Sequence, residues 1–233
     1  MPSIPQVCAP SDLIELNPHV QEGLIAQSQQ QDEKAYQSFL AANKEGDLFG
    51  TALLGTLYLD GKGVQKNTTR AETYFNEVLK SHEVKLKMKN LEGGDMTHSS
   101  VTLAAITARL GLAQIYESTN PKKAFKTYKL ILKPILPANP KLSLIAAFAG
   151  ALTSGLGYLI FAPFLRPRLK HLHANNFNPY ARGLIGFTLY KMGMAYKEGR
   201  GVKVKLKKAT EFLKKAVDFG NDKAIEALRS LQH

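Results

Sequence analysis

The sequence predicts an all-α fold, a superhelix of about four stacked helix pairs carrying a hydrophobic helical insertion. Three observations in its 233 residues predict this. A block of helical periodicity around Gly55 returns around Gly193 at one fixed offset and without a gap. Apolar residues within each block fall at i, i+3, i+4, i+7 and i+8, the spacing of one helix face. Paired glycines separate the two apolar segments of each block, where one helix must stop and the chain must turn.

The two blocks read LGTLYLDGKGVQKNTTRAETYFNEV and MGMAYKEGRGVKVKLKKATEFLKKA. They share Gly55/Gly193, Tyr58/Tyr196, Gly61/Gly199, Gly63/Gly201, Val64/Val202, Ala71/Ala209 and Tyr74/Phe212, with Lys62 matching Arg200 and Arg70 matching Lys208. Self-similarity at this scale is the mark of stacked supersecondary units, none of which can bury its apolar face alone.

In chain order, residues 1–31 read as an N-terminal extension. Its start, MPSIPQVCAPSDL, has neither a basic region nor an apolar run, so no cleavable secretory signal is expected. Cys8 is the only cysteine, which excludes an intramolecular disulfide framework and suits a reducing compartment. Residues 32–133 hold repeats. KAYQSFLAANKEGD (34–47) supplies a second helix of a pair, with Ala35 standing 36 residues before Ala71. The next first helix carries Phe49, Leu53 and Leu57 in one row and Leu54 and Tyr58 in another, so it is expected between neighbours. Gly61 and Gly63 end it, Val64 folds back, and Asn67 or Thr68 caps the second helix. That helix places Ala71, Tyr74, Phe75, Val78 and Leu79 on one stripe. SHEVKLKMKNLEGGDMTHSS (81–100) is a polar insertion, expected as a helix extension followed by a loop. PKKAFKTYKLIL (121–132) carries Ala124 and Tyr128 behind a Tyr116 that parallels Tyr58, in a unit that lacks the glycine loop. Residues 134–179 form the hydrophobic insertion, and 180–233 the last repeat with its capping helix. There Ala209, Phe212, Leu213, Ala216 and Val217 repeat the stripe, while Lys205 and Leu206 stand in the capping positions and predict a weaker helix start.

A lysine between glycines also raises a phosphate cradle. The spacing rejects it. A Walker loop has four residues between its glycines, a Lys-Ser/Thr after them and a strand before. Here one residue separates the glycines, and helical periodicity precedes them. A dinucleotide fingerprint needs a third glycine where Lys66 and Val204 stand.

These residues resemble the Sel-one-like repeat, a tetratricopeptide-related family of helical pairs. The pattern LGxxYxxGxGVxxxxxKAxxxF is met from Gly55 to Tyr74 and from Gly193 to Phe212, with Arg70 in place of lysine, and LAANKEGD (40–47) echoes the repeat's end. The resemblance covers about half the chain. It implies a right-handed α-solenoid that scaffolds protein complexes without catalysis of its own, and in bacteria a role in envelope, secretion or host-interaction systems.

LSLIAAFAGALTSGLGYLIFAPFL (142–165) is 24 residues without a charge, long enough to cross a bilayer as one helix. Three readings stand: a single span, insertion from one membrane side, and a pair of helices buried in the solenoid. Basic flanks on both sides favour one-sided attachment over a true span.

The chain's net charge is +12. Residues 1–100 hold 9 Lys/Arg against 13 Asp/Glu, whereas residues 166–233 hold 15 against 5. A basic rear suits an anionic partner. Arg166, Arg168, Lys170, Lys203, Lys205 and Lys207 are the candidates for such a surface, with Tyr190 as the aromatic most suited to partner contact. Tyr58, Tyr116 and Tyr196 are expected to pack. His171 and His173 form the only histidine cluster, and two ligands do not make a metal site. No nucleophile–base arrangement can be assigned, and no small-molecule substrate, cofactor or metal is expected.

The functional reading is therefore an adaptor or scaffold, cytoplasmic or membrane-associated, whose concave face of first helices binds a protein partner. The alternative is a helical-repeat protein whose basic C-terminal third binds anionic lipid or nucleic acid. Nucleic acid is the less suited of these, because no aromatic residues interleave with the lysines of 203–215 for base stacking.

Overall fold

A computed structural model describes residues 16–89, 99–135, 169 and 172–231. Ten α-helices and one 3-10 turn (Ala174–Asn176) make up the regular structure there, and no strand occurs among the described residues. Four antiparallel pairs dominate: α1 (Pro18–Ser28) with α2 (Asp32–Lys44), α3 (Leu48–Asp60) with α4 (Thr68–Lys80), α6 (Ser100–Thr119) with α7 (Pro121–Leu132), and α8 (Pro179–Glu198) with α9 (Leu206–Asp218). Two short helices flank them, α5 (His82–Lys89) after the second pair and α10 (Lys223–Arg229) after the fourth. Each pair packs on the next, α2 on α3, α3 and α4 on α6, α7 on α8. The result is the expected helical-pair stack.

First helices are the core of the stack. In α3 every residue from Phe49 to Leu59 except Thr56 is buried, and α6 and α8 each bury eleven. Second helices are two-sided. Ala71, Phe75 and Val78 of α4 and Ala209, Leu213 and Ala216 of α9 are buried, with the remaining faces polar. One pair of positions recurs in all four second helices: Ala35–Phe39, Ala71–Phe75, Ala124–Tyr128 and Ala209–Leu213, each residue at most 3% exposed.

Glycines make room for that second, larger residue. A Cβ on Gly23 would stand 2.3 Å from the Phe39 ring, one on Gly55 2.7 Å from Phe75, and one on Gly193 2.7 Å from Leu213. Phe75 is held from the other side too, because a Cβ on Gly111 of the next pair would stand 2.2 Å from its ring.

The loop glycines do two separate things. Gly61 (φ 74°) and Gly199 (φ 75°) stop α3 and α8 in the left-handed region. Gly63 (φ 62°) and Gly201 (φ 72°) add contact between pairs: a Cβ there would lie 2.1 Å from the backbone oxygen of Asp32 and of Pro121, respectively. Each second glycine thus seats its loop against the first turn of the preceding second helix. Val64 packs on the core, and Val202 is half-buried.

Helix starts are set by side-chain caps. Asn17, Asp47, Asn67, Asn120 and Asn178 each accept from a backbone N–H of the first turn, at 2.6–3.0 Å. Lys205 makes no such bond at the start of α9. In the third pair a single residue, Asn120, replaces the glycine loop. The polar insertion departs from expectation in one respect. Ser81 leaves the helical region (ψ 143°), so α4 ends at Lys80 and α5 begins anew at His82 rather than extending it.

Candidate functional site

Aromatic residues at the repeat positions pack the seams between pairs. Tyr58 is 3% exposed and stacks on Tyr74, with Tyr36 of the preceding pair edge-on to it and Arg70 over its ring. Tyr196 repeats the arrangement with Phe212, Phe125 and Lys208. At the intervening seam Tyr116 donates to Glu72 of α4 (3.2 Å), and Lys123 lies over its ring. The cation is always the residue just before the repeat alanine, which ties loop, first helix and second helix together.

A second polar node joins α6, α7 and α8. Glu117 accepts from the Tyr128 hydroxyl at 2.7 Å and pairs with Lys191 at 2.8 Å. Burial and the neighbouring Glu117 charge push the Tyr128 hydroxyl well above its ordinary value. Tyr190 lines a small recess of about 240 Å³ beside this node, between α7 and α8.

A larger concavity lies on the face of the first helices. Its volume is about 690 Å³. The α6 helix packs against both α3 and α8 and forms the floor, through Thr107, Gln114 and Ser118 among others. The walls are the C-terminal half of α3 with Leu59 and Asp60, and α8 with Leu184 and Phe187. Phe49 and Tyr180 meet edge to face at 5.4 Å, so α3 and α8 converge near their starts. The turn after α9, Phe219 to Asp222, completes the α8 side. Burial raises the Asp60 carboxyl above the usual range, against the opposing charges of Lys62 and Lys66. Burial likewise raises the Tyr180 hydroxyl, opposed to a smaller extent by its hydrogen-bonding interaction with the neighbouring Thr107 hydroxyl.

This cleft concentrates unused hydrogen-bonding groups. Five buried side-chain polar atoms lack a well-formed hydrogen bond among the described residues, and four of them belong to its lining: Thr107 Oγ1 and Tyr180 Oη, which interact with each other, and Arg182 Nε and Asn221 Oδ1, which have no partner. Buried polar atoms are nearly always satisfied, so a donor and an acceptor left without partners in one lining, Arg182 Nε and Asn221 Oδ1, mark a place where a further polar group fits. None of the four stands in the repeat motif, and the sequence offered no signal for them.

The charged candidates fall elsewhere. Lys203, Lys205 and Lys207 are exposed before and at the start of α9, while Arg166, Arg168, Lys170, His171 and the stretch 142–165 lie outside the described residues. Among the described residues no helix is long and apolar enough to cross a membrane, and no group of three His, Cys, Asp or Glu could hold a metal ion.

The family model of the Sel1 repeat matches residues 50–77 and 187–221, the α3–α4 and α8–α9 pairs with their glycine loops. The chain carries Sel1 repeats. A Sel1 repeat protein from Oxalobacter formigenes is similar in structure at 18% identity and a TM-score of 0.37, over 91% of this chain and 54% of that one. The chain thus spans about half the length of that protein. No curated protein matches it in sequence.

Proposed function

We propose that this Sel1-repeat chain is a non-catalytic adaptor that binds a segment of a partner protein in the cleft between α3, α6 and α8. The observation that carries the reading is the pair of buried, unpartnered polar atoms, Arg182 Nε and Asn221 Oδ1, in a groove of mixed apolar and polar lining. A concave site that sets polar groups beside apolar surface such as Leu59, Leu184 and Phe187 suits a peptide, which carries both kinds of group. The repeats supply the rest of the reading, since Sel1 repeats are generally scaffolds for protein–protein interaction. A bacterial role in envelope, secretion or host-interaction systems belongs to the same proposal, as does membrane attachment through 142–165. Cell fractionation tests the latter: a protein that stays wholly in solution without detergent would remove it.

Site-specific photo-cross-linking tests the cleft. A photoreactive residue at Gln114 or Ser118, on the floor, should give one discrete adduct in the cells that make the protein. The same residue at Lys214, on α9, should give none. Adducts from α9 alone would refute the assignment.

A second reading rests on Val204 and Leu206, which are 56% and 55% exposed and alternate with the exposed Lys203, Lys205 and Lys207. Apolar side chains set among cations suit an anionic membrane surface. Sedimentation with phosphatidylserine vesicles, lost when the three lysines become glutamine, would support it; retention unchanged by those substitutions would not.

A further inference from the structure

We infer that the cleft selects an extended segment bearing one acidic side chain, its carboxylate received by Arg182 and its main chain held by Asn221. This rests on the cleft being the partner-binding site and names the chemistry of the partner.

Arg182 is the first argument. Its Nε–H is buried without an acceptor, and the guanidinium's other contact is a long one, Nη2 to the Phe177 carbonyl at 3.5 Å. No carboxylate pairs with it among the described residues, although Asp60 and Asp222 line the same cleft. A guanidinium donor held out of water and left unpaired is costly, and a carboxylate is the group that matches its fork. Of the lysines that line the cleft, Lys191 is already committed to Glu117, and Lys66 and Lys223 are exposed at its edge.

Asn221 is the second. Its backbone serves the turn, with N–H donating to Ala216 at 3.0 Å and C=O accepting from Ala224 at 3.1 Å. Its side-chain oxygen is buried and free of any such duty. An amide side chain offers one acceptor and one donor face, the complement of a peptide unit. Gly186 brings this turn to α8: a Cβ there would sit 3.0 Å from the Phe219 carbonyl oxygen. Arg182 lies one helical turn before Gly186, so arginine and asparagine face the same end of the cleft. The Thr107 and Tyr180 hydroxyls, 2% and 3% exposed, lie beside each other in the same lining and interact with one another.

The preference for acid over base is set at two scales. Locally, the unpaired buried donor, Nε–H, belongs to a half-buried cation. Over the whole chain the net charge is +12, which draws acidic segments and disfavours basic ones. Asp60 on the α3 wall opposes a second carboxylate, which limits the preference to one.

Selection of phage-displayed random peptides on the immobilised full-length protein tests this. Selected sequences should share one Asp or Glu among apolar residues. Replacing that acid by its amide, or making Arg182→Gln, should weaken binding about tenfold or more, and the two changes together should weaken it no further. Asn221→Ala should weaken every selected peptide, acidic or not. Gln114→Trp, which fills the groove, should abolish binding. Circular dichroism confirms that each variant keeps its helices. If peptides bind and Gln114→Trp blocks them, yet acid is not enriched or Arg182→Gln changes nothing, the inference fails while the cleft reading survives. If no peptide is selected, or Gln114→Trp leaves binding intact, both fail.

Discussion

Gly111 and Phe75 show how a single atom decides between opposing effects. Alanine at a helical glycine ordinarily gains about 1 kcal/mol of helix propensity. At Gly111 the added Cβ would press on a ring already bounded by Gly55, at 2.2 Å and 2.7 Å respectively. Overpacking a tight core costs about 1–3 kcal/mol, so it outweighs the propensity gain. Gly111→Ala should therefore lower stability by about 1 kcal/mol in urea unfolding, and Phe75→Leu in the same chain should recover part of that. The loop glycines separate conformation from space in the same way. Gly46 (φ 82°) has open space where a Cβ would go, with nothing within 4 Å, whereas Gly63 (φ 62°) faces the Asp32 backbone oxygen at 2.1 Å. Gly46→Ala should cost only the left-handed strain, about 1–2 kcal/mol. Gly63→Ala should cost clearly more, because a backbone oxygen cannot swing aside. Equal losses would show that Gly63 does no more than turn the chain.

At the scale of the element, helix starts differ by one side chain. The residues before α4 and α9 have nearly the same backbone, φ −149° and ψ 96° at Asn67 against φ −147° and ψ 88° at Lys205. Only Asn67 caps. Lys205→Asn should then stabilise the protein by about 1 kcal/mol, since it adds a cap and removes a cation from the positive helix end. Asn67→Ala should lose a similar amount, and thermal unfolding reads both. Much of this level was legible in the sequence. The asparagine cap, the glycine stops and the apolar stripes are local signals, each set by residues within a few positions of one another. Three further helix starts carry signals just as local: Asn17-Pro18, Asn120-Pro121 and Asn178-Pro179 each place a capping side chain before a proline at the first helical position. Two kinds of feature were not legible. Gly23 and Gly111 have no unusual backbone angle, and their purpose is a ring that arrives from another helix. Arg182 and Asn221 come into one cleft lining through the close approach at Gly186, which no period in the sequence announces.

At the scale of the molecule, buried hydroxyls couple the stack to pH. Tyr128 and Tyr180 are held well above their ordinary value of about 10, chiefly by burial; burial also raises Tyr74, Tyr190 and Tyr196, and the hydrogen bond with Tyr58 raises Tyr36. A group whose folded value is raised keeps its proton in the native state while the unfolded chain loses it. Stability is then whole below about pH 10 and falls as pH rises beyond it. Tyr128→Phe should flatten part of that alkaline loss while giving up the bond to Glu117, and urea midpoints measured from pH 8 to 11 would show both.

The same scale holds the functional claim, that partner binding belongs to the first-helix cleft and not to the lysine-rich surface of the last pair. Hydrogen–deuterium exchange on the full chain, free and bound to its cross-linked partner, addresses it most directly. New protection should appear in the cleft-facing part of α6, the end of α3 and the first turns of α8. Protection confined to residues 203–217, with the cleft unchanged, would contradict it.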